Sequence, residues 1–128
     1  MKLLLDTHVL LWSLNDSTRL GPIVRSLISD SANDILVSVA SLWEAAVKSQ
    51  VGKLKVDVQG ISNAINRSGV ALLGINVAHL VVLTSLPRHH TDPFDHLLIA
   101  QAISENVALM SDDRNMPKYP VQIIGCSA

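Results

Sequence analysis

The sequence predicts an α/β domain of three layers, with helices over both faces of a central, mainly parallel sheet of four to five strands. Three observations carry that prediction. Short apolar runs without alternation recur along the chain, as strands buried on both faces require. Helically spaced apolar segments fall between them. No hairpin signal of the Asn-Gly type joins any two runs, so successive strands are expected to connect by right-handed crossovers through helices.

Taken in order, residues 2–5 (Lys-Leu-Leu-Leu) form the first strand, ended by Asp6-Thr7. In 22–31, Ile23, Leu27 and Ile28 are helically spaced behind Gly21-Pro22, a helix start. Residues 34–37 make the second buried strand. Ser38 or Ser41 then caps a helix through Leu42, Trp43, Ala45, Ala46 and Val47, closed near Gly52. A weaker helix covers 57–67, a third strand 70–73, and a further helix runs from Asn76 to about Leu86. Pro87 and the polar loop Arg88-His89-His90-Thr91 follow. Asp92-Pro93 opens the next helix, with proline at its first position, and it runs to about Glu105. Residues 107–110 form the fourth strand, ended by Ser111-Asp112-Asp113, and 121–124 the fifth. No repeat, low-complexity block or linker interrupts this series, so the expectation is a single domain over 1–128.

Composition narrows the class. A chain of 128 residues, 48% of them hydrophobic, has material for a real core. Its longest apolar stretches, Leu3 to Leu5 and Val9 to Trp12, are broken by Asp6 and His8, well short of the roughly 20 residues of a membrane span. No signal-peptide pattern follows Met1-Lys2, and a cytoplasmic location is the expectation. The single cysteine, Cys126, makes neither an internal disulfide nor a thiolate metal cage. Charged residues are only 16% and mean hydropathy is +0.35, which for so small a domain points to apolar surface covered by a partner or a second copy. Of 11 acidic residues only Glu44 and Glu105 are glutamates. Aspartate is the poorer helix former and favours caps, turns and metal sites, so its placement is informative.

In an open parallel sheet the binding crevice lies beyond the carboxyl ends of the strands, where strand order reverses. Asp6 follows the first strand and Asp113 the fourth. If those strands are neighbours, both carboxylates enter one crevice; singly, Asp6 reads as a helix N-cap and Asp112 or Asp113 as a turn residue. Stepping from Asp95 by three and four gives Leu98, Ile99 and Ala102, the stripe that must face the sheet. Asp95 therefore heads the buried face, Asp92 is the N-cap, and His96, Gln101, Ser104 and Glu105 lie elsewhere on the wheel. Glu44 shares its face with Ala40, Val47 and Val51, while Lys48 at i+4 offers an exposed ion pair; both readings stay open. Four carboxylates from separate elements, without a His-x-x-x-His or cysteine pair, make a hard-oxygen site suited to Mg²⁺ or Mn²⁺ rather than zinc. Such an ion would neutralise the cluster, bind a phosphate oxygen and lower the pKa of an attacking water, the chemistry of phosphodiester cleavage.

Four segments in order carry a resemblance: Leu-Asp-Thr-His-Val-Leu-Leu-Trp (5–12), Ser-Val-Ala-Ser-Leu-Trp-Glu (38–44), Asp-Pro-Phe-Asp-His-Leu-Leu-Ile-Ala-Gln-Ala (92–102) and Ser-Asp-Asp (111–113). Together they resemble the PIN-domain ribonucleases and, within them, VapC-type toxins of bacterial toxin–antitoxin pairs. The resemblance spans nearly the whole chain. It implies a PIN-like fold and a Mg²⁺-dependent endoribonuclease acting on a structured RNA such as tRNA or rRNA. It further implies that Asp6, Glu44, Asp95 and Asp113 are the acidic quartet around the metal, with Thr7 and Ser111 as hydroxyls supporting the strand-end acids. A homodimer and a cognate small antitoxin, in a higher assembly, are implied as partners. Two positions depart from the pattern: His96 stands where many relatives carry arginine, and Ser111 where many carry threonine.

The remaining residues are read more plainly. His89 and His90 are expected to be solvated, Trp12 and Trp43 to lie in the core, and Tyr119 to pack near the last strand. With 3% aromatics the chain has no stacking platform of a dedicated single-strand binder. Setting the quartet aside leaves 7 acids against 10 lysines and arginines, a balance of +3. Arg19, Arg25, Lys48, Lys53 and Lys55 are candidates for phosphate contacts. The apolar helices around Val24, Leu27 and Ile28 and around Leu80, Val81 and Leu83 are candidate partner faces. Three rivals fit less well. A receiver-type phosphoacceptor domain needs an acceptor aspartate after the third strand and a lysine after the fifth, where this chain has Gly74-Ile75-Asn76 and Gly125-Cys126. A metal-dependent phosphatase sharing the acids would show Asp-x-Asp after the first strand. A catalytically silent PIN-like binding scaffold would not keep an intact quartet.

Overall fold

The strand β1 (Lys2–Leu5) organises the molecule. In the computed structural model, which describes residues 1–89 and 92–127, β1 pairs in parallel with β2 (Asp34–Ser38) on one side and with β4 (Ala108–Met110) on the other. Outside these lie β3 (Ala71–Leu73), against β2, and β5 (Ile123–Ile124), against β4. The order is therefore β3-β2-β1-β4-β5, every pair parallel. The helices are α1 (Thr7–Leu14), α2 (Pro22–Ser29), α3 (Val39–Gln50), α4 (Val58–Ser68), α5 (Val77–Ser85) and α6 (Pro93–Glu105), with a 3-10 turn at Met116–Lys118.

The two-residue period of the strands divides the core into two layers. Leu3, Leu5, Ile35, Val37, Ala108 and Met110 point to one face, where Val9 and Leu10 of α1, Val24 of α2 and Ile61 and Ile65 of α4 cover them. Leu4 and Leu109 point to the other, beneath Leu97, Leu98, Ile99 and Ala102 of α6. Helix α3 contributes to both, Ala40 to the second layer and Leu42 to the edge of the first. This is the three-layer α/β/α arrangement expected.

Several elements differ from the sequence reading. Helix α1 was anticipated only in the reading of Asp6 as a helix N-cap, because Val9 to Trp12 is apolar without helical periodicity; Asp6 Oδ1 does accept the Val9 N–H at 2.8 Å. Ser38, not Ser41, caps α3 by accepting the Ala40 N–H at 3.0 Å. The third, fourth and fifth strands are shorter than the apolar runs that announced them. Trp43 is 52% exposed rather than core, packed edge-on against Phe94 with ring centroids 4.6 Å apart; the apolar stripe of α3 falls on other positions. Trp12 is partly buried at the rim of the first layer. Tyr119 is buried and packs in the second.

Helix α6 is buried all round its middle, from Leu97 through Ala102, so Gln101 is fully enclosed rather than turned to solvent. A buried polar chain explains how. Ser38 Oγ donates to Gln101 Oε1 at 2.5 Å, and Gln101 Nε2 donates to the Gly74 carbonyl at 3.3 Å and lies 3.4 Å from His79 Nδ1. The Asn76 N–H donates to that same Nδ1 at 3.2 Å, which puts the ring proton on Nε2, 3.0 Å from Glu105 Oε2. The chain ties the start of α3 to α5 and α6.

Candidate functional site

The order β3-β2-β1-β4-β5 reverses direction at β1, so the crevice of an open parallel sheet opens beyond the carboxyl ends of β1 and β4. The residue after β1 is Asp6, and its N–H continues the ladder by donating to the Met110 carbonyl at 3.1 Å. The residue after β4 is Ser111. Asp6 is thus both the N-cap of α1 and a crevice residue, and the two readings of the sequence coincide in one side chain.

Asp6 is only 4% exposed. Burial pushes its carboxyl above the usual carboxylate range, against the pull of a Ser111 hydrogen bond, the Val9 N–H and nearby His8; the charge of Glu44 adds to the rise. Ser111 is buried and its Oγ also accepts the Asp113 N–H at 3.1 Å. Asp113 is half-buried and its Oδ1 accepts the Asn115 N–H at 2.8 Å, so its turn and its crevice position coexist. The neighbouring Asp112 is turned elsewhere, accepting the Cys126 N–H at 2.6 Å.

Glu44 is 2% exposed. Thr7, at the first turn of α1, donates its hydroxyl to Glu44 Oε1 at 2.6 Å and lies 3.1 Å from Ser41 Oγ, fixing α3 against α1. The other carboxylate oxygen takes Lys48 Nζ at 2.5 Å. The i, i+4 pair offered as the plain reading of Glu44 is therefore real, but its acid is buried. The Glu44 hydrogen bond holds Lys48 firmly protonated, above its usual range, with burial opposing and the charges of Glu44, Asp92 and Asp95 reinforcing. On α6, Asp92 is the N-cap, its Oδ1 accepting the N–H of Phe94 at 2.9 Å and of Asp95 at 3.3 Å. Asp95 is half-buried at the head of the helix. The Trp43–Phe94 ring contact joins α3 and α6 one residue before Glu44 and one before Asp95.

Among the described residues, no group of three or more His, Cys, Asp or Glu is gathered tightly enough to hold a metal ion where it stands. The donor chemistry nevertheless suits a hard divalent cation: carboxylates and hydroxyls only, with a buried Asp6 and a buried Glu44 repelling one another. Of the basic residues expected to meet phosphate, Arg25 is already committed. Its guanidinium binds Asp16 Oδ1 at 2.6 Å and the carbonyls of Ser17 and Leu20 at 2.5 and 3.0 Å. Arg19 lies 5.3 Å over the Trp12 ring, with His8 stacked on the same ring at 5.9 Å. His89 is exposed and meets Tyr119 edge-on at 5.3 Å; His90 lies outside the described residues. His96 sits in the first turns of α6, 5.8 Å from the Tyr119 ring, and its Nε2 is buried without a hydrogen-bond partner.

An open parallel sheet with acids at the switch point of its central strands fixes where a ligand can bind, not which reaction follows. The family is narrower. The PIN domain model matches residues 3–122, and the chain belongs to the PIN domain family, whose members are generally nucleases. Similar solved structures share the fold over essentially their whole length. The VapBC2 complex from Rickettsia felis, bound to a DNA fragment from its promoter, matches with a TM-score of 0.75 at 18% identity over 98% of each chain. DNA-bound VapBC from Salmonella typhimurium gives 0.70 at 15% over 98% of each chain. VapBC-1 from nontypeable Haemophilus influenzae gives 0.65 at 16% over 100% of each. No curated protein sequence matches the chain. Among the described residues no helix is long and apolar enough to cross a membrane.

Proposed function

We propose that this chain is a Mg²⁺- or Mn²⁺-dependent endoribonuclease acting as the toxin of a toxin–antitoxin pair. The observation that carries the reading is the pairing of β1 with β4 in a PIN-family chain, which puts Asp6, Ser111 and Asp113 on the two sides of one crevice. The likeness to VapBC complexes supports the toxin role. Asp6, Glu44, Asp95 and Asp113 would hold the ion. When bound, such an ion supplies a Lewis acid for a phosphate oxygen and lowers the pKa of an attacking water. The chain's own groups prepare for that. Thr7 fixes the orientation of Glu44, and Ser111 links Asp6 to the Asp113 backbone. Burial of Asp6 makes its ionised form depend on a nearby positive charge.

The partners follow from the same chemistry. An antitoxin that sends a basic side chain among these acids would replace the charge of the ion and inhibit. We read residues 1–128 as one domain, working in the cytoplasm as a homodimer that assembles further with its antitoxin. The test is cleavage of structured RNAs, tRNA and rRNA included, by pure protein with and without chelator. Metal-dependent cleavage leaving 5′-phosphate ends, lost in Asp95→Asn, is expected; metal-independent cleavage leaving 2′,3′-cyclic ends would overturn the mechanism.

A further inference from the structure

An exposed Glu–Lys pair four residues apart on a helix is ordinary and needs no function. Lys48 is set differently. Its partner Glu44 is 2% exposed and cannot swing away, because Thr7 holds the carboxylate oxygen that Lys48 does not. The Lys48 side chain is itself only 33% exposed. Its charge is felt by acids of a second helix, Asp92 and Asp95 of α6, as well as by Glu44 of α3. One ammonium thus sits on a buried carboxylate that is proposed as a metal ligand.

We propose that Lys48 is the resident cation of the acidic crevice. It is a positioning residue that neutralises Glu44 while no metal is bound, and it must release Glu44 before a divalent ion can use that carboxylate. The inference rests on the acid-site reading above and adds to it a competitor built into the chain. Two cations that want one carboxylate are linked, so removing either strengthens the binding of the other.

The test uses the full chain, stripped with chelator, and Mg²⁺ alone as probe, titrated by calorimetry and by thermal scans at neutral pH. For Lys48→Met the metal-free protein should melt lower than wild type, and the Mg²⁺ concentration for half-saturation should fall roughly tenfold, the scale of one competing charge near a protein surface. Lys48→Arg, which keeps the charge, should titrate like wild type. If Lys48→Met does not fold without metal, Lys48→Gln, with an uncharged polar stem, is titrated in its place. A neutral variant that needs as much Mg²⁺ as wild type, or more, overturns the role of Lys48 even if RNA is cleaved. Absence of Mg²⁺ binding in every variant overturns the metal-site reading, and this inference with it.

Discussion

Asp6 shows what the crevice costs the resting protein. Its carboxyl is raised mainly by burial, so the folded state holds that proton more tightly than the unfolded chain. A group of this kind favours folding fully below its unfolded value, near 3.8, and loses that contribution as pH rises through the higher folded value. The metal-free protein should therefore lose stability as pH rises above about 4, where the unfolded carboxyl has ionised and Asp6 resists. Asp6→Asn keeps an oxygen to cap α1 and removes the charge. Without metal it should melt at or above wild type at pH 7, by on the order of 1 kcal/mol, with the advantage vanishing below pH 4. Thermal scans across that range check this, and a variant less stable than wild type at pH 7 would show that the cap outweighs the charge. At this scale the sequence was informative about where three of the acids stand, since Asp6 and Asp113 come just after strands and Asp95 lies in the first turn of a helix. From the residues alone it left Glu44 open, because an i, i+4 lysine looks the same on a wet face as on a buried one; only the family resemblance set Glu44 with the other acids.

Among the elements, α6 carries the most consequence. Its apolar spacing announced a stripe, Leu98, Ile99 and Ala102, and the stripe is there; the spacing could not announce that the middle of the helix is enclosed on every side. Gln101 marks the difference, a polar side chain 0% exposed that joins Ser38, the Gly74 carbonyl and His79. Gln101→Leu would leave the Ser38 hydroxyl and the Gly74 carbonyl without that partner in a dry interior. The expected loss is roughly 1–3 kcal/mol, read by denaturant unfolding, with the midpoint falling at unchanged slope. A neutral result would mean that the hydrogen bonds and the desolvation of the amide cancel. Helix α1 is the complementary case. Its eight residues are too apolar for periodicity to show, and its only announcement was the aspartate that caps it.

For the whole molecule, the chain of apolar runs was enough to predict a three-layer parallel sheet, whereas the order of strands depends on long-range packing that no local pattern encodes. The two apolar helices expected to meet partners part company. On α2, Val24 is wholly buried and Leu27 and Ile28 pack on the core, so that face is internal. On α5 the outer face is bare: Val77 is 75% exposed and Val81 62%, with Leu80 beside them on the same face. Leu72 of edge strand β3 and Ile75, before α5, are further apolar side chains open to solvent, 49% and 40% exposed. If the homodimer forms, this is the face to bury in it. Light scattering at micromolar concentration should then give a dimer for wild type and a monomer for the pair Val77→Glu and Val81→Glu; a wild-type monomer would count against the dimer.

The pairing of Leu3 with Ala108 has a consequence during synthesis. As the chain leaves the ribosome, β1 can find β2 early, and β3 can join β2 soon after, because these pairings lie close in sequence. The other edge of β1 must wait for β4, and contacts so distant along the chain form late. Until then the nascent chain carries Asp6 and Glu44 but has no second wall to its crevice. A ribosome making this protein would thus complete almost the entire polypeptide before the crevice had both its walls.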